Sequence, residues 1–91
     1  MAIIVHFDVS GMNTNKYAEI MRRLDAAGAG APPGRLHHAC YGDPEKLIVV
    51  DVYDTVQSFE AFSGTLVPIL RELGVEARPQ IQPVHNIVRG A

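Results

Sequence analysis

The 91-residue chain has one cysteine, Cys40, and no tryptophan. A single thiol excludes an internal disulfide, and no Cys/His spacing has the form of a structural zinc site, so an unstapled protein in a cytoplasmic setting is expected. No apolar run is long enough to cross a bilayer. From Met1 the chain passes directly into an alternating apolar segment, without a basic region or a small-residue cleavage site, so no signal peptide is predicted. Positive charge is scarce as well. Eight Lys and Arg stand against ten Asp and Glu, for a formal net charge of -2. The cations are scattered instead of gathered in a stripe, which argues against nucleic acid as a partner.

What is present is mostly apolar. With 47% hydrophobic and 20% charged residues, the chain has the composition of an ordinary globular domain, and its length allows one domain over 1–91. A domain this small buries a smaller fraction of its surface than a large one, so self-association is the simplest way to complete the core.

Residues 2–9 are short-range β-branched sequence ending at Ser10-Gly11, the pattern of a strand and a turn. Asn13 then supplies an N-cap oxygen, with Met12 and Tyr17 placed for a hydrophobic staple, so a helix follows. Its apolar stripe is Tyr17, Ile20, Met21 and Leu24, its wet face Glu19, Arg22 and Arg23, and its stop Gly28. The segment from Gly28 to Gly34, with three glycines and two prolines, is a connection leading to a second strand at 36–41. Gly42-Asp43-Pro44-Glu45 has turn chemistry and 47–53 reads as a third strand, which makes a hairpin.

Asp54 and Gln57 resemble a capping box ahead of a second helix with apolar positions Phe59, Phe62, Leu66, Ile69, Leu70 and Leu73. Pro68 would remove a backbone donor and press on the carbonyl of Gly64, so the pattern predicts a break, with Thr65 capping a second short helix. Gly74 ends that helix and 79–88 forms the last strand. Pro79 and Pro83 mark it as an edge strand or the place of a backbone bulge. Arg89-Gly90-Ala91 reads as a tail.

This is the βαββαβ order of an α+β, ferredoxin-like fold: a four-stranded antiparallel sheet with the first and third strands central and both helices on one face. The other face is then bare, and a face in water calls for apolar and polar residues in alternation. In the third strand Ile48, Val50 and Val52 form an aliphatic row suited to the helices, while Leu47, Val49, Asp51 and Tyr53 form a mixed one. In the first strand Ile3, Val5, Phe7 and Val9 oppose Ala2, Ile4, His6 and Asp8. The mixed rows are too apolar for bulk water. A second copy of the chain is expected to cover them across a two-fold interface, giving a dimeric α/β barrel.

On that reading His6, Asp51 and Tyr53 point between the sheets or into a cavity there. The hairpin register sets His37 or His38 opposite Asp51, and counting back from the turn favours His38. His85 joins them if the parity of the last strand survives Pro83. A histidine held by a carboxylate is fixed in one tautomer and made more basic, as a general base or proton shuttle requires. The same groups also read as an interface in which buried polar residues satisfy one another. His6, His38, His85 and Asp51 are suitable ligand types for a metal but lack a short spacing motif, so no metal site is assigned. Cys40 reads as a packing residue, having no adjacent base. The Gly28 to Gly34 segment follows a helix and has no phosphate-loop pattern, which leaves a plain connection or a lid over a cavity mouth.

The element order, the run Ile48-Val49-Val50-Asp51-Val52-Tyr53 leading to Ser58-Phe59-Glu60-Ala61-Phe62, and the segment Pro83-Val84-His85-Asn86 together resemble the antibiotic biosynthesis monooxygenase-like group of the dimeric α/β-barrel superfamily. The resemblance covers nearly the whole chain and is greatest to small bacterial members. It implies a homodimer with an apolar cavity in each subunit, used in some members for cofactor-independent oxygenation of polycyclic phenols or quinones. Better-known members carry an acidic residue and a Trp before the second helix and a His on it. Here Asp51 matches the acid, Tyr53 replaces the Trp, and Phe62 stands where that His would be. Without a Trp a haem-degrading site is not expected, and any base must come from the strands.

Two functions follow. One is an oxygenase-like or isomerase-like enzyme acting without a cofactor on a small hydrophobic or aromatic substrate, with His38 or His85 as base, Asp51 orienting it, and His6, Tyr53 and Asn86 contacting the substrate. It requires a cavity of roughly a few hundred Å³. The other is a non-catalytic dimeric module that binds a small ligand or serves in stress, in which the same side chains only satisfy the interface.

Overall fold

The computed structural model describes residues 1–88, and Arg89-Gly90-Ala91 lies outside them. In chain order it contains β1 (Ile3–Ser10), α1 (Thr14–Ala26), β2 (Arg35–Asp43), β3 (Lys46–Tyr53), α2 (Val56–Glu72) and β4 (Glu76–Pro83). The strands form one antiparallel sheet in the order β2-β3-β1-β4, so β1 and β3 are central as the βαββαβ order requires. The last strand starts and stops earlier than the expected 79–88. β4 pairs with β1 from Ser10↔Glu76 to Ile3↔Pro83, so its limits are those of the strand beside it. It is an edge strand, and Pro79 and Pro83 sit where an edge tolerates them.

Local chemistry explains the helix ends. Asn13 caps α1, its side-chain oxygen accepting from the Lys16 N–H at 2.9 Å. At α2 the cap is Thr55 instead of Asp54. The Thr55 hydroxyl accepts from the Ser58 N–H at 3.2 Å, while Asp54 takes the Ser58 hydroxyl at 2.6 Å. The expected break at Pro68 is absent, and α2 runs unbroken from Val56 to Glu72. Gly64 and Pro68 are both exposed, so the carbonyl that loses its partner can turn to water. Phe59, Phe62, Leu66 and Leu70 are buried in phase on both sides of the proline and hold the helix together.

Packing corrects one expectation that matters for the site. The β1/β3 register pairs Val5 with Asp51 and Phe7 with Val49, so the clean row of β1 shares its face with the mixed row of β3. That shared face lies under the helices. Val5 and Tyr53 are 0% exposed and Asp51 only 2%, whereas Ile48, Val50 and Val52 are half-buried on the opposite, uncovered face. Asp51 and Tyr53 therefore do not point toward a second sheet. The helix side accepts them because their polar atoms are satisfied there, which removes the usual cost of burying polar groups. The core is completed by the rings of Phe59 and Tyr53, whose centroids stand 5.3 Å apart edge to face.

Candidate functional site

The site lies between the sheet and the helices. β3 presents Asp51, and the β2/β3 register sets His38 directly opposite it. An irregularity in the pairing between Arg35 and His37 fixes the parity of β2, turning His38 toward the helices and leaving His37 exposed. His38 Nδ1 lies 2.5 Å from Asp51 Oδ1, and the Tyr53 hydroxyl donates to Asp51 Oδ2 at 2.9 Å. From α1 the Tyr17 hydroxyl lies 2.7 Å from His38 Nε2, with its ring nearly parallel to the imidazole at 5°. The four groups form one continuous chain, Tyr17–His38–Asp51–Tyr53.

An ionised Asp51 only accepts, so it takes the Tyr53 O–H on one oxygen and the His38 Nδ1–H on the other. In the neutral imidazole Nε2 is then the bare nitrogen and accepts from the Tyr17 hydroxyl. Burial, reinforced by Asp51, raises the Tyr53 phenol well above its ordinary range. Tyr17 is also raised, by burial first and by Cys40 and Asp51, with Arg35 opposing. Both tyrosines are held as neutral donors. Burial likewise raises the Cys40 thiol, which suits a packing role and not that of an activated nucleophile.

The chain borders a hollow of about 40 Å³, walled chiefly by Phe7, Ile20, Leu24 and Leu66 and by the polar residues Tyr17, Arg35, His38 and Asp51. That is room for a few water molecules. The hollow is smaller than the roughly few hundred Å³ expected of a small-molecule site. Arg35 donates from Nη2 to the Gly30 carbonyl at 3.0 Å, and its guanidinium carbon sits 5.8 Å from the centre of the Phe62 ring.

Other candidates fall elsewhere. His6 is on the uncovered face of the sheet, its Nε2 3.4 Å from the Tyr41 hydroxyl, because β1 alternates it away from Val5 and Phe7. His85 and Asn86 follow β4 on an exposed stretch. The set His6, His38, His85 and Asp51 is thus not brought together. Among the described residues no three His, Cys, Asp or Glu side chains gather into a cluster able to hold a metal ion. Two site residues escape a reading of the sequence. Tyr17 lies in the apolar stripe of α1, and its only signal is that a half-buried phenol needs a partner for its hydroxyl. Arg35 looks like one more scattered cation, with no local pattern to set it apart.

No family model matches the sequence, and no curated protein matches it. Solved structures do. SnoaB, a cofactor-independent oxygenase from Streptomyces nogalater, superposes with a TM-score of 0.63 at 14% identity, covering 98% of this chain and 96% of its own. Rv0793 from Mycobacterium tuberculosis gives 0.67 at 11% identity over 98% and 100%. A Deinococcus radiodurans protein assigned to the antibiotic biosynthesis monooxygenases gives 0.62 at 14% identity over 100% and 99%. At these identities the likeness is one of fold. The chain thus shares, over nearly its whole length, the ferredoxin-like fold of these proteins.

Proposed function

We propose that the chain is a dimeric, cofactor-independent monooxygenase-like enzyme for a small apolar or aromatic substrate, with His38 as the base. The observation that carries this reading is the chain Tyr17–His38–Asp51–Tyr53 ending at a hollow under the helices. Asp51, itself steadied by Tyr53, fixes the imidazole so that Nε2 faces Tyr17 and the hollow. A turn of Tyr17 frees that nitrogen to take a proton from an acidic C–H or O–H of the substrate, and the neutral phenol then hydrogen-bonds the anion that forms. The electron pair released on carbon reduces dioxygen as a C–O bond forms. Loss of water from the resulting hydroperoxide leaves a ketone, so that R₂CH₂ and O₂ give R₂CO and H₂O. The oxygenase named among the structural neighbours supports this class of reaction.

The dimer belongs to the same proposal. Ile4, Ile48, Val50 and Val52 leave an aliphatic band on the uncovered face, and a second copy of that face is its natural cover. The deciding experiment follows dioxygen uptake with anthrone, a tricyclic ketone with an acidic CH₂, in the presence of a chelator. One dioxygen consumed per anthraquinone formed is expected, and His38→Gln should slow the reaction at least about 100-fold. Uptake unchanged by His38→Gln would remove the histidine from the mechanism. A second reading, a non-catalytic module, draws on the small hollow and on the absence of any unpartnered buried side-chain N or O among the described residues. Failure of the wild type to turn over anthrone and related phenols would favour it.

A further inference from the structure

Phe62 separates two spaces. On one side of its ring is the hollow of about 40 Å³ that contains His38 and Asp51. On the other is an open groove of about 390 Å³ between α2 and the connection from Gly28 to Gly34, floored by Ala29, Pro32, Ser58, Ala61 and Thr65. The hollow alone admits only water, but joined to the groove it reaches the size of a small-molecule site, roughly 300–1,000 Å³. Phe62 is the one residue that lines both.

Arg35 holds that side chain. It lines the hollow, lies against the Phe62 ring 5.8 Å from its centre, and donates to the Gly30 carbonyl in the connection at 3.0 Å. The connection is fastened just beyond, where the Asp54 N–H donates to the Gly34 carbonyl at 2.8 Å. Gly34 has φ +85°, and a Cβ there would run into Ser58 and Asp54, so the chain packs closely at this point and only glycine fits it. Among the described residues Arg35 has no carboxylate partner within ion-pair distance, and Asp51 is already occupied by His38 and Tyr53. A guanidinium offers five donors in a fixed fork. With the Gly30 carbonyl and the neighbouring Tyr53 hydroxyl taken into account, part of that capacity is left for an anion.

We propose that Phe62, latched by Arg35, is a gate between the outer groove and the His38 hollow, and that it opens to an apolar molecule bearing one anionic oxygen group, which draws Arg35 off Gly30 and the Phe62 ring. The gate rests on the reading of the hollow as a ligand site. It assigns Arg35 to ligand selection and to positioning of the gate, leaving proton transfer to His38.

The test uses 2-naphthoate and its neutral near-isostere 2-naphthamide, titrated into ¹⁵N-labelled protein while the His38 ring nitrogens and the backbone amides are followed by NMR. In the wild type, naphthoate should move the His38 signals and bind about tenfold more tightly than naphthamide. Arg35→Gln should erase that preference. Phe62→Ala should let naphthamide reach His38 with at least tenfold faster association, and Phe62→Leu gives the same trend with most of the apolar volume kept should the alanine variant fail to fold. A naphthoate preference that survives Arg35→Gln, or association rates unmoved by either Phe62 variant, overturns the gate while leaving the ligand site standing. Shifts confined to the groove around Ser58, Ala61 and Thr65 in every protein, with His38 silent, overturn both the gate and the reading of the hollow.

Discussion

The two faces of the sheet are made from the same strands and end in opposite states. Under the helices lies a face containing a carboxylate, a histidine and a phenol, and it is the buried one. On the other side lies the aliphatic row Ile48, Val50 and Val52, which the chain itself leaves half uncovered. Polarity alone does not decide which face a helix covers. A buried polar group is tolerated when its partners are built in, and the apolar row left outside is the face on which we propose that a second copy sits.

Neighbouring residues on β3 give the sharpest way to break this contrast. Val49→Asp places an unpaired charge under the helices and should cost about 4 kcal/mol or more, leaving the chain unfolded in a urea titration. Val50→Asp places the same charge on the open face and should keep the native circular dichroism while light scattering reports a monomer. If both variants unfold alike, the two faces are not distinct in the way described. Asp51→Leu comes next. It orphans the Tyr53 hydroxyl and half of His38, so a loss of about 2–4 kcal/mol in denaturant stability is expected.

A smaller effect belongs to Tyr53→Phe, which removes one donor to Asp51 and should cost about 1–2 kcal/mol while keeping the ring packed on Phe59. The smallest lies on neither face. Glu19 accepts from Arg22 and Arg23 on the exposed side of α1, and those bonds hold its carboxyl near 2 instead of the ordinary 4.5. A depressed carboxylate stabilises the fold above its unfolded value and loses that contribution as pH falls toward the folded one. The wild type should therefore lose slightly more stability than Glu19→Gln between pH 4.5 and 2, with the two nearly equal at neutral pH. Acid titrations of both by circular dichroism check the sign, which at this exposure is small.

Much of the architecture is legible in the chain because it is local. Asn13, Gly28, the Gly42 to Glu45 turn and the apolar stripes of both helices each act within a few residues, and together they yield the element order. The His38 and Asp51 pairing is legible too, since a hairpin register can be counted from its turn. The sidedness of β3 is not. Both of its rows are apolar enough to face a core, and the choice rests on the pairing of Val5 with Asp51, two residues far apart in sequence. With that sidedness goes the expected meeting of His6 and Asp51: His6 stays on the uncovered face, and Asp51 turns under the helices. The continuity of α2 through Pro68 shows the same limit, because a local breaker loses to tertiary packing by Phe62, Leu66 and Leu70. Tyr17 joins the site only through the docking of α1 on β2, which no spacing in the chain announces.

The prolines of β4 bear on how far the chain can assemble. Pro79 and Pro83 lie along the outer strand of the sheet, where a proline is admitted because its missing N–H would have pointed away from β1. A newcomer strand approaching that border finds gaps in the row of donors it would need. Growth by adding strand to strand is discouraged there, while stacking through the aliphatic face stays open. An isologous contact of that kind uses up its own surface and closes at two copies instead of propagating into a filament.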